Sequence, residues 1–423
     1  MTLPEVFPPA KRWADGVKTM RAAIKKLLLL LFGLSIGLIV AEVGLRVLRV
    51  SYPLPYAPDH DCGTRLQAGF HGWWRKEGNA FIEVNLYGFR HGDRGPSKPE
   101  GTFRVAVLGD SFIEAFQVPD DQTICAVLER ELASCDALSS RSVQVLNFGV
   151  SGYGTAQELL MLRHHVWQYA PDLVILAFFA GNDLRNNSFE LEPYHVRPFY
   201  RLEDGELMLD TSFRQHPDFL RAHLARVRLK VALINRLRIL QLINHVRTTW
   251  RQANAAADVR PVSMGVDPAA LVEPSDDAWR TAWEISERLI LEIADEAERH
   301  GAEFWLVTVP GDVQVHPDPE VTARWQQQLK VNDLLYGERR LASFGLQHNL
   351  SVVTLAEPLR QYATERKQAL YGFPNTELGF GHWNADGHRV AGELVAKAIC
   401  DAERSAPKSV IARQRVPQSG DGS

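Results

Sequence analysis

One pattern recurs along the chain: a mostly apolar run ends in a glycine-containing turn, and a helical segment follows. The first run, residues 103–108, ends in Gly109-Asp110-Ser111. Similar runs cover residues 143–148 and 173–179. Short apolar runs bounded by turn residues are typical of buried strands. Their alternation with helices predicts an α/β fold with a doubly wound, mostly parallel sheet flanked by helices.

The second half of the chain continues the pattern. A helix is predicted from Ser275 to His300, with Asp276 and Asp277 in its first turn and Gly301 after its end. Further elements are predicted for a strand at 303–310, a helix at 320–342, a strand at 350–355 and a helix at about 385–403. Sheets of this kind carry their sites beyond the carboxyl ends of the strands.

Small and polar residues stand at these strand ends. Ser111 follows the first strand, where its hydroxyl and the backbone N–H groups are free to face an anion. Gly152 lies in the turn after the second strand, and Asn182 ends the third. Each of them alone is also explained by an ordinary turn or cap. A parallel sheet brings all three to the same edge, which predicts a shared site.

Together with His382 in a Gly-His-Trp-Asn-Ala-Asp-Gly-His stretch, these motifs resemble the SGNH (GDSL-type) superfamily of esterases and acyltransferases. Its Ser, Gly, Asn and His fall, in chain order, on Ser111, Gly152, Asn182 and His382. The resemblance covers about residues 85–400 and implies a flavodoxin-like SGNH fold. It implies Ser111 as nucleophile and His382 as base, with an oxyanion hole formed by the N–H groups of Ser111 and Gly152 and the Asn182 amide. No cofactor and no metal are expected.

His382 suits the role of base because the pKa of histidine lies near neutrality. His388 competes for that role, but His382 precedes the helix and aligns with the family motif. The family carries Asp two or three residues before this histidine, and here those positions hold Phe380 and Gly379.

The third member of the triad is therefore unknown from the sequence. Glu377 or Asp386 is a candidate, as is a backbone carbonyl. A Ser–His dyad and a weakened or lost activity remain alternatives.

The N-terminal region predicts a membrane anchor. Residues 27–41 are uncharged, and extension over Glu42 to Leu48 gives the roughly 20 residues of a spanning helix. Basic residues dominate the stretch before it, which predicts a cytoplasmic N-terminus at 1–24 and an uncleaved signal anchor at 25–48. A cleaved signal peptide is the alternative. The expected location is a single-pass inner (cytoplasmic) membrane protein with its catalytic domain periplasmic or extracellular.

The rest of the chain divides into a lead-in segment with short strands at 49–100, a hydrolase-like domain at 101–404 and a disordered tail at 405–423. An insertion at 184–275 interrupts the domain and contains a basic amphipathic segment from Phe219 to about Arg251. Such a segment can lie on a membrane. A solvated basic face on a lid or packing helix is the favoured interpretation.

The predicted function is a serine esterase or O-acyl (acetyl) transferase that forms an acyl-serine intermediate. Its substrate is expected to be acylated polysaccharide or another ester, and a membrane acyl-transfer protein is an expected partner. The alternative is a non-catalytic carbohydrate-binding or scaffold protein, for which the aromatic pair Trp73 and Trp74 would suit sugar contact. With 423 residues and a net charge of −4, the chain shows no basic domain for nucleic acid. The pairing of Cys62, Cys125, Cys135 and Cys400 is left open, as is the oligomeric state.

Overall fold

The structure of the protein is a computed structural model that describes residues 10–255 and 267–405. The first nine residues of the predicted basic N-terminus lie outside the described residues, as does the predicted tail from residue 406. Ser405, where that tail was predicted to begin, still belongs to the last helix.

Eleven strands and thirteen α-helices are found in the described part of the chain. The strands are β1 (Tyr56–Asp59), β2 (Gly63–Leu66), β3 (His71–Trp74), β4 (Ala80–Glu83), β5 (Thr102–Leu108), β6 (Ser142–Asn147), β7 (Leu173–Phe178), β8 (Phe199–Glu203), β9 (Glu206–Asp210), β10 (Glu303–Thr308) and β11 (Ser351–Thr354). The helices are α1 (Ala10–Val47), α2 (Ser111–Glu114), α3 (Ile124–Ala133), α4 (Thr155–Met161), α5 (Ala180–Asn187), α6 (Pro217–Ala222), α7 (Ala225–Arg236), α8 (Arg238–Ala255), α9 (Asp277–Arg299), α10 (Pro319–Leu329), α11 (Tyr336–His348), α12 (Ala356–Arg366) and α13 (Ala385–Ser405).

Five parallel strands form the central sheet in the order β11-β10-β7-β5-β6. β5, which precedes Ser111, pairs with β6 on one side and with β7 on the other. The predicted doubly wound α/β fold is thereby confirmed. The topology places the turns after β5, β6 and β7 next to one another at one edge of the sheet.

The core lies on both faces of this sheet, because side chains alternate along each strand. In β5, Ala106 and Leu108 face a cluster that includes α4 and α9, while Val105 and Val107 face α3 and α13. All seven residues of β5 are buried. The strand that leads to Ser111 is therefore packed from both sides.

Outside the sheet, three antiparallel pairs form short hairpins. β1 pairs with β2 and β3 with β4 in the lead-in segment, and β8 pairs with β9 in the insertion. Residues 49–100 thus contain two short hairpins.

Two long helices predicted from the sequence are interrupted in the structure. The helix predicted at 320–342 ends at Leu329, because Lys330 adopts a left-handed conformation at φ 57°, and α11 begins at Tyr336. The segment predicted at 219–251 consists of α6, α7 and α8, with extended backbone at Leu224 and Leu237 between them. Apolar periodicity runs across such breaks and does not reveal them.

One described helix is long and apolar enough to cross a membrane. The candidate span covers Lys18–Val47 within α1, and its most apolar window of 18 residues has a mean hydropathy of 2.4 and no buried residue. Length and composition alone define this candidate, and a signal sequence has the same properties.

A disulfide joins Cys135, just after α3, to Cys400 in α13. It closes a loop across 265 positions of the sequence and ties together two helices that pack on the same face of the sheet. Cys62 and Cys125 are free and buried.

Candidate active site

Ser111 is the first residue of α2, directly beyond the carboxyl end of β5. The preceding Asp110 caps this one-turn helix, and its Oδ1 accepts the N–H of Phe112 at 2.9 Å. Burial raises the pKa of Asp110, against hydrogen bonds from Phe112 and Asn182 that lower it. The carboxyl thus holds the turn in which the serine lies.

His382 lies in the loop before α13 and faces Ser111. Its Nε2 is 2.9 Å from Ser111 Oγ, which is hydrogen-bond distance. Its Nδ1 is 2.5 Å from Oε2 of Glu77, and Glu77 Oε1 accepts the backbone N–H of His382 at 2.8 Å. Serine, histidine and carboxylate thus form a continuous chain of hydrogen bonds, the arrangement that activates a serine nucleophile.

Glu77 comes from the tip of the β3–β4 hairpin in the lead-in segment, 305 residues before His382. Asn375 fixes this tip, since its side chain accepts the N–H of Gly78 at 3.0 Å and donates to the carbonyl of Gly78 at 3.0 Å. Gly381 makes the approach possible, because a Cβ at this position would collide with Glu77 Oε1. The φ of Gly381, +98°, also favours glycine.

The electrostatics of this pair are mutual. Burial lowers the pKa of His382, but the hydrogen bond and charge of Glu77 outweigh it, and the net pKa is raised. Burial raises the pKa of Glu77, but the hydrogen bonds and charge of His382 bring it below its ordinary value. Glu77 therefore stays ionised at neutral pH and stabilises the imidazolium form of His382.

Three donors lie at the strand ends beside Ser111. The backbone N–H groups of Ser111 and Gly152 donate to no other residue in the described part of the chain. Gly152 has φ +75°, a conformation that favours glycine, and its carbonyl accepts from Asn186 at 3.2 Å and from Arg197. Asn182 donates one Nδ2 hydrogen to Asp110 Oδ2 at 2.9 Å, which leaves its second Nδ2 hydrogen for a ligand.

The other acidic and histidine candidates lie elsewhere. The side chain of Glu377 is exposed. Asp386 accepts from Gln368 and Arg389 on α13. His388 is buried against Trp383, and burial lowers its pKa to about 3, so it is a neutral core residue. The carboxylate that contacts His382 Nδ1 belongs instead to Glu77, which the sequence analysis did not identify.

A second contribution of the lead-in segment comes from Arg90. Its buried guanidinium donates to the carbonyls of Glu114 at 2.9 Å, of Val118 at 2.6 Å and of Ala115. It also pairs with Asp120. These acceptors lie at and just beyond the carboxyl end of α2, so Arg90 holds the helix that begins with Ser111.

Glu114, at the end of α2, connects this helix to the turn after β6. Its Oε1 accepts the N–H of Ser151 at 3.0 Å, and its Oε2 accepts the hydroxyl of Tyr56 at 3.0 Å. Burial raises the pKa of Glu114 to about 7, although these hydrogen bonds oppose the rise. Through Ser151 it fixes the position of Gly152.

A cavity of about 700 Å³ borders this turn. The lead-in segment, the turn with Gly152, and the insertion line it, through residues that include Tyr56, Thr64, Gly152, Arg197, Phe219 and Val231. Its volume lies in the range of small-molecule sites, roughly 300–1,000 Å³.

One group of described residues has the spacing of metal ligands: Asp59, Cys62 and His165. Arg65 opposes a cation there, because its guanidinium lies 3.2 Å from His165 Nε2 and 3.7 Å from Asp59 Oδ2. Burial also raises the pKa of the Cys62 thiol and disfavours the thiolate that binds metal. These residues are not among those that contact Ser111 or His382.

No family model matches the chain, and no curated protein matches it. It is similar to solved structures that include an acetyl xylan esterase, at 11% identity over 71% of this chain and 98% of the other, with a TM-score of 0.36. For the lipase/acylhydrolase from Enterococcus faecalis the identity is 16%, the coverage 71% and 96%, and the TM-score 0.33. A GDSL-like lipase from Bacteroides thetaiotaomicron is 11% identical over 72% of this chain and 89% of the other, with a TM-score of 0.29. GDSL-type hydrolases are thus among the structures to which this chain is similar, at identities and TM-scores that assign it no activity.

Proposed function

We propose that the protein is a serine esterase or O-acyltransferase of the SGNH type, which acts through an acyl-serine intermediate. The observation that carries this proposal is the hydrogen-bonded series Ser111–His382–Glu77. The adjacent donors of Ser111, Gly152 and Asn182 add to it. This combination serves acyl transfer, which needs both an activated nucleophile and preorganised donors for an oxyanion.

In the proposed reaction, Ser111 Oγ attacks the ester carbonyl carbon while His382 Nε2 takes the hydroxyl proton. Negative charge forms on the carbonyl oxygen and is stabilised by the three donors. The bond to the alcohol oxygen then breaks, and His382 returns the proton to that oxygen. Glu77 holds the imidazole in the tautomer that accepts at Nε2 and stabilises the imidazolium between the two proton transfers.

The second half of the reaction frees the enzyme. Water or another hydroxyl attacks the acyl carbon of the acyl-serine and gives its proton to His382. The bond between Ser111 Oγ and the acyl carbon then breaks, and His382 returns the proton to Ser111 Oγ. Water yields a carboxylic acid, and a sugar hydroxyl yields a new ester. We include transfer of acetyl groups to or from carbohydrate, assisted by a membrane acyl-transfer protein, as the form of this proposal that the family resemblance favours.

Two observations favoured the alternative, a non-catalytic carbohydrate-binding or scaffold protein. It drew on the missing Asp before His382, and Glu77 now supplies a carboxylate to that imidazole. It also drew on the aromatic pair of the lead-in segment, but Trp74 packs against Phe116, and Trp73 against Phe81.

The test of the enzyme proposal is covalent labelling with a fluorophosphonate probe. We expect the full chain to be labelled at Ser111, and the Ser111→Ala variant to be neither labelled nor active on p-nitrophenyl acetate. Ser139→Ala, an exposed serine after α3, is the matched control and should label like the parent. A correctly folded parent protein that is never labelled and turns over no acyl ester would contradict the proposal.

We further propose that α1 is a signal anchor with its N-terminus in the cytoplasm and the site outside. The uncharged run, the basic residues before it and the Cys135–Cys400 disulfide support this, since disulfides persist in oxidising compartments. A reporter that functions only outside the cytoplasm should be active when it is fused after residue 60. Activity of a cytoplasm-dependent reporter at the same junction would refute this topology.

A further inference from the structure

Helices α7 and α8 pack beside the end of α1. The carboxylate of Glu42, near the C-terminal end of α1, accepts the backbone N–H groups of Arg238 at 3.0 Å and Ile239 at 3.1 Å. Arg46 donates to the carbonyl of Arg236 at 2.7 Å. The junction between α7 and α8 is therefore fixed to the last turns of the candidate membrane span.

The chain that leaves α1 strengthens this attachment. The ring of Tyr52 stacks on His245 of α8 at 3.7 Å, and its N–H donates to Gln241. Asn235 of α7 accepts the N–H of Leu54 at 2.8 Å and donates to its carbonyl at 2.9 Å. These contacts thus fix the position of both helices relative to the end of the candidate span.

Large apolar side chains of these two helices face solvent. The exposed fractions are 62% for Leu229, 44% for Leu233, 58% for Ile243, 59% for Val246 and 67% for Trp250. Ile234 of α7 is buried, whereas these five side chains are not, so packing within the protein does not account for them. Exposed apolar clusters of this kind mark interaction surfaces.

The same surface is strongly basic. Residues 219–251 include no aspartate or glutamate, and seven arginines and lysines lie between Arg226 and Arg251. A groove of about 260 Å³ between α7 and α8 combines both characters, with Arg226, Lys230 and Arg247 beside Leu229, Leu233 and Ile243. Apolar side chains bordered by cations match an anionic lipid leaflet, in which acyl chains lie below negatively charged headgroups.

We propose that this α7–α8 surface docks on the membrane leaflet from which α1 emerges and binds anionic phospholipid. Attachment to the end of α1 supplies the continuity with the bilayer, and the unbalanced positive charge supplies the selectivity. One consequence concerns the cavity beside Gly152, because Val227 and Val231 of α7 form part of its lining. Docking would set that cavity next to the leaflet.

The test uses the full chain in lipid nanodiscs and a nitrobenzoxadiazole label on Val246→Cys, since Cys62 and Cys125 are buried and inaccessible. Leu346→Cys is the matched control, because Leu346 is 86% exposed on α11, away from α1. In discs that contain phosphatidylglycerol, we expect headgroup-level nitroxide lipids to quench the label at 246 and not the label at 346. Quenching at 246 should weaken in phosphatidylcholine discs.

A charge variant tests the lipid selectivity. Arg226→Gln, Lys230→Gln and Arg247→Gln together should lower the ratio of docked to undocked protein about fivefold for each charge removed. Several results would overturn the proposal: equal quenching at 246 and 346, equal quenching in both lipids with no effect of the charge variant, or failure of the chain to insert into the discs. Quenching that requires an added membrane protein would assign the surface to a protein partner instead. Because none of these readouts involves ester turnover, failure here is distinguishable from failure of the esterase proposal.

Discussion

The candidate site is built by two regions that differ in kind. Ser111, Gly152 and Asn182 follow the carboxyl ends of three adjacent parallel strands, Ser111 as the first residue of α2 and Asn182 in the first turn of α5. Two of these strands, β5 and β7, are buried along their whole length. Glu77 and Arg90 come from the lead-in segment, whose strands form two-stranded hairpins outside the sheet. The turns of the sheet supply the proposed nucleophile and the proposed oxyanion donors, and the lead-in segment supplies the groups that hold His382 and α2.

This division has a functional meaning. The sheet-derived residues are positioned by packing that the whole domain shares. The lead-in residues act through a few specific hydrogen bonds, so their removal should alter catalysis more selectively than it alters the fold. The predictions below test that difference.

The largest effect is expected at the base. His382→Ala should lower kcat by about 10⁶-fold, because Ser111 then has no group to take its proton. His388→Ala should retain most of the turnover, since His388 is a buried neutral residue next to Trp383. The measurement is ester turnover by both variants, and near-UV circular dichroism verifies that each is folded. Equal losses in two folded variants would remove the support for His382 as base.

A smaller but more diagnostic effect is expected from the lead-in segment. Glu77→Gln should lower kcat about 10³–10⁴-fold, because the imidazolium loses its carboxylate. Without that charge, burial is the dominant influence on His382, and its pKa should fall. The base acts in its neutral form, so the acidic limb of the kcat/KM profile should move to lower pH in the variant.

The position of that limb separates the catalytic interpretation from a structural one. A Glu77 that only fixed the hairpin would change the plateau or the stability and leave the limb in place. Asn79→Ala, on the exposed tip of the same hairpin, is a suitable control and should leave the pH profile unchanged.

The smallest effect is expected at the sheet edge. Asn182→Ala removes one oxyanion donor of three and should slow turnover about 10²–10³-fold while fluorophosphonate labelling of Ser111 persists. The variant also leaves Asp110 Oδ2 without its amide partner. If both labelling and turnover were lost, Asn182 would instead act by positioning the turn that contains Ser111, and not by stabilising the transition state.

The sequence revealed the sheet and its edge because both depend on local patterns. Buried strands are short apolar runs, and the residues after them are marked by glycine, so Ser111, Gly152 and Asn182 were identified from their immediate neighbours. The interruptions at Lys330 and Leu237 were missed, since single backbone conformations leave the apolar periodicity unchanged.

Glu77 was missed for a different reason. Nothing in Arg75-Lys76-Glu77-Gly78-Asn79 distinguishes it from an ordinary polar turn. Its role arises from contacts with residues about 300 positions away: Glu77 itself contacts His382, and the adjacent Gly78 contacts Asn375. A glycine at position 381, beside the histidine, indicates that another group packs closely there. The sequence does not indicate which residue that group belongs to.

The distance along the chain between Glu77 and His382 also has a consequence for biosynthesis. A ribosome completes the carboxylate and the serine long before it reaches the imidazole, and the cysteine that closes the disulfide follows at position 400. Nascent chains that extend past Ser111 but not to His382 therefore contain the serine without its imidazole partner. On the proposed mechanism, ester hydrolysis therefore begins only after residue 382 has been made, and shorter or truncated chains lack it.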